Sequence, residues 1–321
     1  MLLKDIDVCV TGGAGFIGSS MTDALLELGC GVTVIDDLSA SDMTRLAKAK
    51  WHETFRFVKG DVRKPDDLDR ALPGCKAVVH LAANPEVRGT ATEVHLEQNV
   101  LATHTLLEGM RRNDVPFILF ASTSTVYGEA DQVPTPEDYG PCNPISFYGA
   151  SKLACEAMIS SYCHLYGLRA VSMRLANVVG PRSGHGVLFD FVRKLRTDPS
   201  RLEVLGDGTQ TKSYIHIDDC VGGFVLAAQR TEAAYDVFNM GSDDRVPVKR
   251  IAELVIEEMG VDFKDARIEY TGGVDGGRGW AGDVKIMQLG CDKLQKLGWK
   301  PEHGSEESLR MTLRGILGKE A

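Results

Sequence analysis

Short apolar runs recur along the chain at 8–11, 31–35, 55–58, 77–81, 116–122 and 170–177, and a longer stretch able to form a helix separates each from the next. Runs apolar at successive positions fit strands buried on both faces, and their alternation with helices predicts a parallel sheet covered on either side. Segment 93–112 carries Val94, Val100, Leu101, Leu106 and Leu107 at helical rather than alternating spacing, and 151–166 gives a second long helix. Past about residue 179 the rhythm breaks. A loop rich in Gly and Ser leads to short strands near 202–205 and 237–240 and helices near 218–229 and 248–259. The expected class is α/β: a doubly wound parallel sheet over 1–178 and a smaller α/β substrate-binding domain over 179–321, with elements free to interleave at the boundary. No internal repeat or low-complexity linker separates the parts, so they are expected to pack as one unit with the site in the cleft between them.

The first strand runs into Gly12, Gly13, Gly15, Phe16, Ile17 and Gly18, and a helix-forming stretch follows at 19–28. A strand feeding glycines into a helix is the dinucleotide cradle of a Rossmann sheet. Gly12 makes the tight turn, Gly15 lets the backbone approach a pyrophosphate and Gly18 seats the helix on the sheet. The second strand ends in Asp36, eighteen residues past Gly18, where a carboxylate meets the ribose diol. Asp36 and Asp37 together repel a 2′-phosphate, with no Arg immediately beside them, which selects NAD over NADP. Without the glycines, the acidic pair would read as a solvated turn.

Composition narrows the partners. Of 321 residues 43% are hydrophobic and 25% charged, an ordinary globular balance, and a formal charge of −9 leaves no basic stripe for a nucleic acid. Asp5 and Asp7 interrupt what a secretory signal would keep apolar, and no later run is long enough to span a bilayer. The expectation is a cytoplasmic protein with neither nucleic acid nor membrane as partner. Eight cysteines form no Cys-x-x-Cys pair and no Cys/His cluster of zinc spacing, which reads as reduced, mostly buried thiols and no metal.

Tyr148 and Lys152 are four apart, on one face of a helix. An ammonium beside a phenol favours phenolate, lowering its pKa from about 10 and making Tyr148 a usable general base, while Lys152 can also donate to a nicotinamide ribose. Such a pair alone is a common surface pattern; here it follows a dinucleotide fingerprint by about one domain length. The strand at 116–122 ends in Ser122, Thr123, Ser124 and Thr125, at the sheet edge where ligands bind. A hydroxyl from Ser122 to Ser124 would bridge a substrate oxygen and Tyr148, or the set would only close the strand end by local backbone bonds.

Together these residues resemble the extended short-chain dehydrogenase/reductases, and within them the nucleotide-sugar 4-epimerases of the UDP-glucose (UDP-galactose) type. The resemblance covers nearly the whole chain. It rests on segments 11–18, 60–62, 80–83, 174–182, 206–219 and 279–284 and on Tyr148 with Lys152. It implies an NAD-dependent isomerase acting on a UDP-sugar. In it Asp61 and Val62 would hold the adenine, and Leu81, Ala82, Ala83 and Ser122 would line the cofactor. Asn99 would orient the helix beneath the cofactor, and Thr123, Tyr148 and Lys152 would form the catalytic set. Asn177 matches a pyrophosphate or sugar contact, Val187 and Leu205 a uracil pocket, and Tyr214 and Arg278 further nucleotide contacts. Where many members carry Arg, this chain has Lys212, a point charge without a bidentate fork, so either Lys212 substitutes or Arg278 takes the load. Met287 lies about where members carry a residue that limits room for an N-acetyl group.

In related 4,6-dehydratases the two positions after the strand-end Thr are typically Asp and Glu, and in UDP-glucuronate decarboxylases a Glu stands at the second. Here they are Ser124 and Thr125, so elimination lacks its acid and base. The expectation is a 4-epimerase interconverting UDP-glucose and UDP-galactose through a 4-keto intermediate, with Tyr148 as acid and base. Its rivals are a 4-epimerase of UDP-N-acetylhexosamines or UDP-uronates, a nucleotide-sugar reductase or decarboxylase, and a non-catalytic NAD-sensing binding protein, which commonly lacks the Tyr/Lys pair. Family members build a homodimer with the helices corresponding to 93–112 and 151–166; the plainer role of both is to cover the sheet.

Overall fold

The computed structural model describes residues 4–89, 91–262 and 266–319; residues 1–3, part of the start read above for a signal, lie outside it. Strand β1 (Asp7–Thr11) pairs in parallel with β2 (Gly31–Asp36) on one side, and β3 (Phe55–Lys59) extends that edge. On the other side lie β4 (Ala77–His80), β5 (Phe117–Thr123) and β6 (Arg169–Leu175), all parallel. The order 3-2-1-4-5-6 reverses between β1 and β4. Gly12 follows one of these strands and Leu81 the other, so the crevice where such sheets bind ligands opens between them.

Both sheet faces are covered. Val8 and Val10 enter one hydrophobic cluster and Cys9 the other, which is why the strands read as apolar at successive positions. Helix α1 (Phe16–Glu27) contributes Met21 and Leu25 to the first cluster. On the second face pack α2 (Pro65–Ala71), a long helix running from α3 (Thr92–His95) through a π-helical segment, Leu96–Leu101, into α4 (Ala102–Arg112), and α5 (Phe147–Tyr166).

Two features depart from the expected layout. The run at 170–177 is two strands: β6 stops at Leu175, and β7 (Asn177–Val179) leaves the sheet to pair with β10 (Tyr214–His216). The elements expected near 218–229 and 237–240 in the smaller domain belong to the central sheet. Helix α7 (Ile217–Arg230) packs on α1, and β11 (Tyr235–Met240) joins β6 as a seventh parallel strand. Without β11, the backbone of β6 would be an open edge.

The remaining elements form the smaller unit. Helices α6 (Val187–Thr197), α8 (Val248–Met259) and α10 (Ser305–Leu317) enclose Leu188, Phe191, Leu195, Ile251, Leu254, Leu309 and Leu313. Strand β8 (Arg201–Val204) pairs with β13 (Arg267–Tyr270), and β9 (Thr211–Lys212) lies between β12 (Val246–Pro247) and β14 (Ile286–Met287). A short α9 (Asp292–Lys296) adjoins β11. Among the described residues no helix is long and apolar enough to cross a membrane.

Candidate active site

Helix α1 starts at the crevice with Gly15 as its N-cap; no side chain caps it and no acid occupies its first turn. Its free amides therefore offer an anion site without competition. A Cβ on Gly18 would lie 2.1 Å from the Gly12 carbonyl oxygen, and one on Gly12 (φ +68°) would lie 2.8 Å from the Ala82 nitrogen. On Gly15 it would meet only the Gly12 oxygen, at 3.1 Å. The cradle thus fits a pyrophosphate of NAD. At the end of β2, Asp36 accepts from the Ala14 and Leu38 amides at 3.0 and 2.9 Å and from Ser41 Oγ at 3.0 Å. Asp37 closes its own turn through Ser39. Asp61 is gripped by Arg63 through paired hydrogen bonds that hold its carboxyl below the usual range, and Val62 packs on the second core cluster.

A cavity of about 1500 Å³ runs from Gly12, Gly15, Phe16, Ile17 and Gly18 past Thr123, Tyr148 and Lys152 to Val187, Leu205, Lys212 and Tyr214, with Leu81, Ala83 and Asn177 also in its wall. Ser146 caps α5 by accepting from the Gly149 amide at 3.1 Å. A Cβ on Gly149 would come within 2.6 Å of the Thr125 carbonyl oxygen, so only glycine lets the first turn press against the turn that follows β5. That contact brings Tyr148 beside Thr123, whose hydroxyl acts on the phenol. Burial pushes the Tyr148 phenol up to about 12, with the Thr123 hydroxyl pulling the other way. Lys152 is 2% exposed and donates from Nζ to the Ala121 carbonyl at 2.8 Å; burial brings it down to about 8. Its ammonium stands 6.0 Å from the Tyr148 ring centroid. The expected depression of the phenol by Lys152 is therefore corrected: one donor of the ammonium goes to a strand carbonyl, and desolvation of the phenol outweighs the ammonium's charge.

The hydroxyl cluster sorts itself. Ser122 lies in the cavity wall, but its Oγ donates to Glu156, so it does not offer the bridging hydroxyl that Ser122 to Ser124 left open. Thr123 Oγ1 accepts from the Thr125 amide at 3.2 Å and shares a 3.0 Å bond with Thr125 Oγ1. Asn99 is buried in the π-helical segment outside the cavity lining. It accepts from the Asn84 amide at 2.7 Å and donates to Ser151 Oγ at 2.9 Å, bracing the loop after β4 against α5. Ala82 donates its amide to Thr11 Oγ1, holding the ends of β1 and β4 together.

At the far end, Lys212 lies in the wall and ion-pairs with Asp283. Arg278 is a correction: its guanidinium turns to Glu129 at 2.9 Å and to the Asp283 and Asp275 carbonyls, outside the cavity lining. Of these two, Lys212 is the cation that faces the cavity. Met287 is a buried member of the wall. Sequence reasoning missed Arg88 and Trp280, which also line the cavity, and the buried pair of Glu156 and Arg174 behind Ser122. Glu156, four residues past Lys152, and Arg174, at the start of a quoted motif, were the available signals.

A glycine cradle at the switch point of a parallel sheet, opening onto Thr123, Tyr148 and Lys152, defines a Rossmann-type nucleotide enzyme. The model of the NAD dependent epimerase/dehydratase family matches residues 8–241, and the chain belongs to that family. A UDP-glucose 4-epimerase of Corynebacterium glutamicum is 34% identical over 313 residues, covering 92% of this chain and 90% of its own. A UDP-glucuronate 4-epimerase of Thermodesulfobacterium geofontis is 32% identical over 316 residues, with 95% and 94% covered. A crystal structure of a UDP-galactose 4-epimerase superposes with a TM-score of 0.86 at 39% identity, over 98% of this chain and 99% of that one. NAD is the cofactor of the family.

Proposed function

We propose that the protein is a UDP-hexose 4-epimerase that interconverts UDP-glucose and UDP-galactose. The observation that carries this reading is the wall around Thr123: Tyr148 beside it, Lys152 behind, and the hydroxyls of Ser124 and Thr125 where elimination would need an acid and a base. Tyr148 takes the proton of the sugar 4-hydroxyl and later returns it, and Thr123 shares the hydrogen bond to the same oxygen. NAD held by the cradle from Gly12 to Gly18 would supply a reversible hydride acceptor beside C4, so the reaction would carry no net redox change. A phenol at about 12 becomes a base only as positive charge acts on its oxygen, and Lys152, held near 8, supplies such a charge at neutral pH.

Asp36, Asp37, Asp61 and Val62 serve the adenosine end of the cofactor. Val187, Leu205 and Tyr214 frame the uracil, and Asn177 and Lys212 take the diphosphate and sugar. Met287 in the wall supports a hexose over an N-acetylhexosamine. The eight free thiols, seven of them buried, suit the reducing cytoplasm. Leu96 and Leu101, about half exposed, and Leu165 and Tyr166 on α5 support a homodimer through these helices; sedimentation showing only monomer at micromolar concentration would remove it.

The test is proton NMR of the protein with NAD, incubated separately with UDP-galactose, UDP-N-acetylgalactosamine and UDP-galacturonate. Fastest formation of the C4 epimer from UDP-galactose supports the reading. Preference for either of the others reassigns the sugar, and conversion of none overturns the epimerase. Tyr148→Phe should nearly abolish turnover with NAD still bound.

A further inference from the structure

We infer that Arg88 and Trp280 form a clasp across the mouth of the cavity, and that this clasp keeps the 4-keto intermediate inside while the sugar turns over. The inference rests on the epimerase reading above. Arg88 is on the loop after β4 and Trp280 on the loop before β14, and both line the cavity. The Arg88 guanidinium carbon lies 4.5 Å from the Trp280 ring centroid. The indole is the partner this guanidinium has among the described residues.

The loops that carry the clasp are anchored, while its tip is not. Asn99 holds Asn84 by its amide and carbonyl, and the His95 ring, 6.3 Å from that of Tyr148, contacts Asn99 Nδ2 at 3.4 Å. The Arg88 amide donates to Glu86 Oε1 at 2.6 Å, which tightens the turn. On the other loop the Asp283 amide donates to the Trp280 carbonyl at 3.0 Å, and Lys212 Nζ lies 5.3 Å from the indole centroid. A Cβ on Gly282 would stand 3.3 Å from the Ile145 carbonyl and 3.7 Å from that of Val87, so the two loops meet backbone to backbone beside the clasp. The side-chain contact between the loops is then a cation–π pair of an exposed arginine on a half-buried indole, weak enough to open for each substrate. The Trp280 Nε1 hydrogen is shut from solvent and has no acceptor among the described residues. A sugar or phosphate oxygen entering beneath the indole would supply one.

Retention matters because of how the reaction balances. When C4 is oxidised, the hydrogen and its electron pair rest on the cofactor and the hydroxyl proton rests on Tyr148. If the ketone leaves before both return, the site is left reduced and protonated and cannot accept another alcohol. The clasp is thus a positioning device, and its loss shows as a leak rather than as slow chemistry.

The experiment follows the holoenzyme with UDP-galactose. Ketone in the protein-free filtrate is measured by deuteride reduction and mass spectrometry, beside the near-ultraviolet absorbance of reduced nicotinamide. Arg88→Ala should start at a near-normal rate, slow with successive turnovers, and release roughly two- to fivefold more ketone per turnover than the unaltered enzyme, the ratio that one cation–π contact of an exposed arginine sustains. Arg88→Lys should recover much of the retention. Trp280→Phe, which keeps a ring for Arg88, should retain ketone but raise KM. A constant Arg88→Ala rate with ketone at the unaltered level overturns the clasp while leaving the epimerase intact. An unaltered enzyme that yields no C4 epimer overturns the underlying reading and the clasp with it.

Discussion

Helix α5 carries two buried charges four residues apart, and the protein treats them in opposite ways. Glu156, on the core side, is filled: it accepts from Ser122 and takes a two-pronged grip from Arg174, at 2.7 Å for its shortest contact. Arg174 in turn donates to Tyr127 at 2.8 Å, which donates to Asn239 at 2.8 Å. Lys152, on the cavity side, keeps one carbonyl, at 2.8 Å, and burial lowers its proton affinity. A completed network around a buried charge fixes geometry; an incomplete one stores a cost that a ligand can relieve. The deficit at Lys152, beside a phenol raised to about 12, marks where chemistry is carried out, and the surplus at Glu156 marks what holds the strand end and the helix in register.

The sharpest test removes each charge. Lys152→Met should lower turnover by about 10²–10⁴-fold while leaving the unfolding midpoint unchanged or raised, because it deletes a buried cation with one partner. A loss of stability as large as that of a Glu156 variant would erase the contrast. The pH dependence has a defined sign. Lys152 holds its proton in the folded state only below about 8, so turnover should fall as pH rises through that value. Between about 8 and the ordinary 10.5 the unfolded chain binds the extra proton, so this group's contribution to stability should rise over the window in which activity is lost. Parallel rates and unfolding curves from pH 7 to 10 would show whether the two trends diverge.

Next in size is the core side. Glu156→Gln leaves Arg174 buried without its counter-charge and should cost about 3–5 kcal/mol, read from denaturant unfolding. Replacing both, Glu156→Leu with Arg174→Met, should recover most of that loss. If the double variant were as unstable as the single, the network would be worth more than the burial of its charges, and the comparison would need a further term.

The same division governs what the sequence disclosed. Elements whose two faces are both apolar, and turns that only glycine can make, are properties of local residues, and so the sheet, the cradle at Gly12 to Gly18 and the Tyr148/Lys152 spacing were legible. What was not legible depends on which partner a charge finds across long separations. Arg278 pairs with Glu129, 149 positions away, and Lys212 with Asp283, 71 away. No periodicity encodes those choices. Likewise β11 joins the central sheet because β6 offers an open edge, a fact of topology that the short run at 237–240 does not carry.

A third buried titratable group extends the contrast at intermediate size. His80 is 1% exposed, between Thr11 Oγ1 at 2.7 Å and Thr103 Oγ1 at 3.0 Å, and burial brings it down to about 3. The folded state refuses a proton that the unfolded chain accepts near 6.5, so stability is complete above that pH and declines as pH falls toward about 3. His80→Asn should flatten the slope of stability against pH in that window even though it lowers the plateau. An unchanged slope would mean that other groups set the acid response, and that only α5 separates its charges in this way.

The smallest effect distinguishes the two cations of the nucleotide end, where the comparison is between a charge in the wall and a charge turned out of it. Lys212 is largely buried, with its partner Asp283 more so, and both line the cavity; the Arg278 and Glu129 pair is more exposed and outside it. A charge-assisted contact from Lys212 to a diphosphate is worth about 1.5–3 kcal/mol, so Lys212→Ala should raise KM for a UDP-sugar roughly tenfold or more with kcat little changed. Arg278→Ala removes a surface pair worth about 0–1 kcal/mol and should move KM less than about fivefold. The reverse order, with Arg278→Ala the more damaging, would mean that the guanidinium leaves Glu129 for the ligand, and that at this end of the cavity the charge turned out of the wall does the binding.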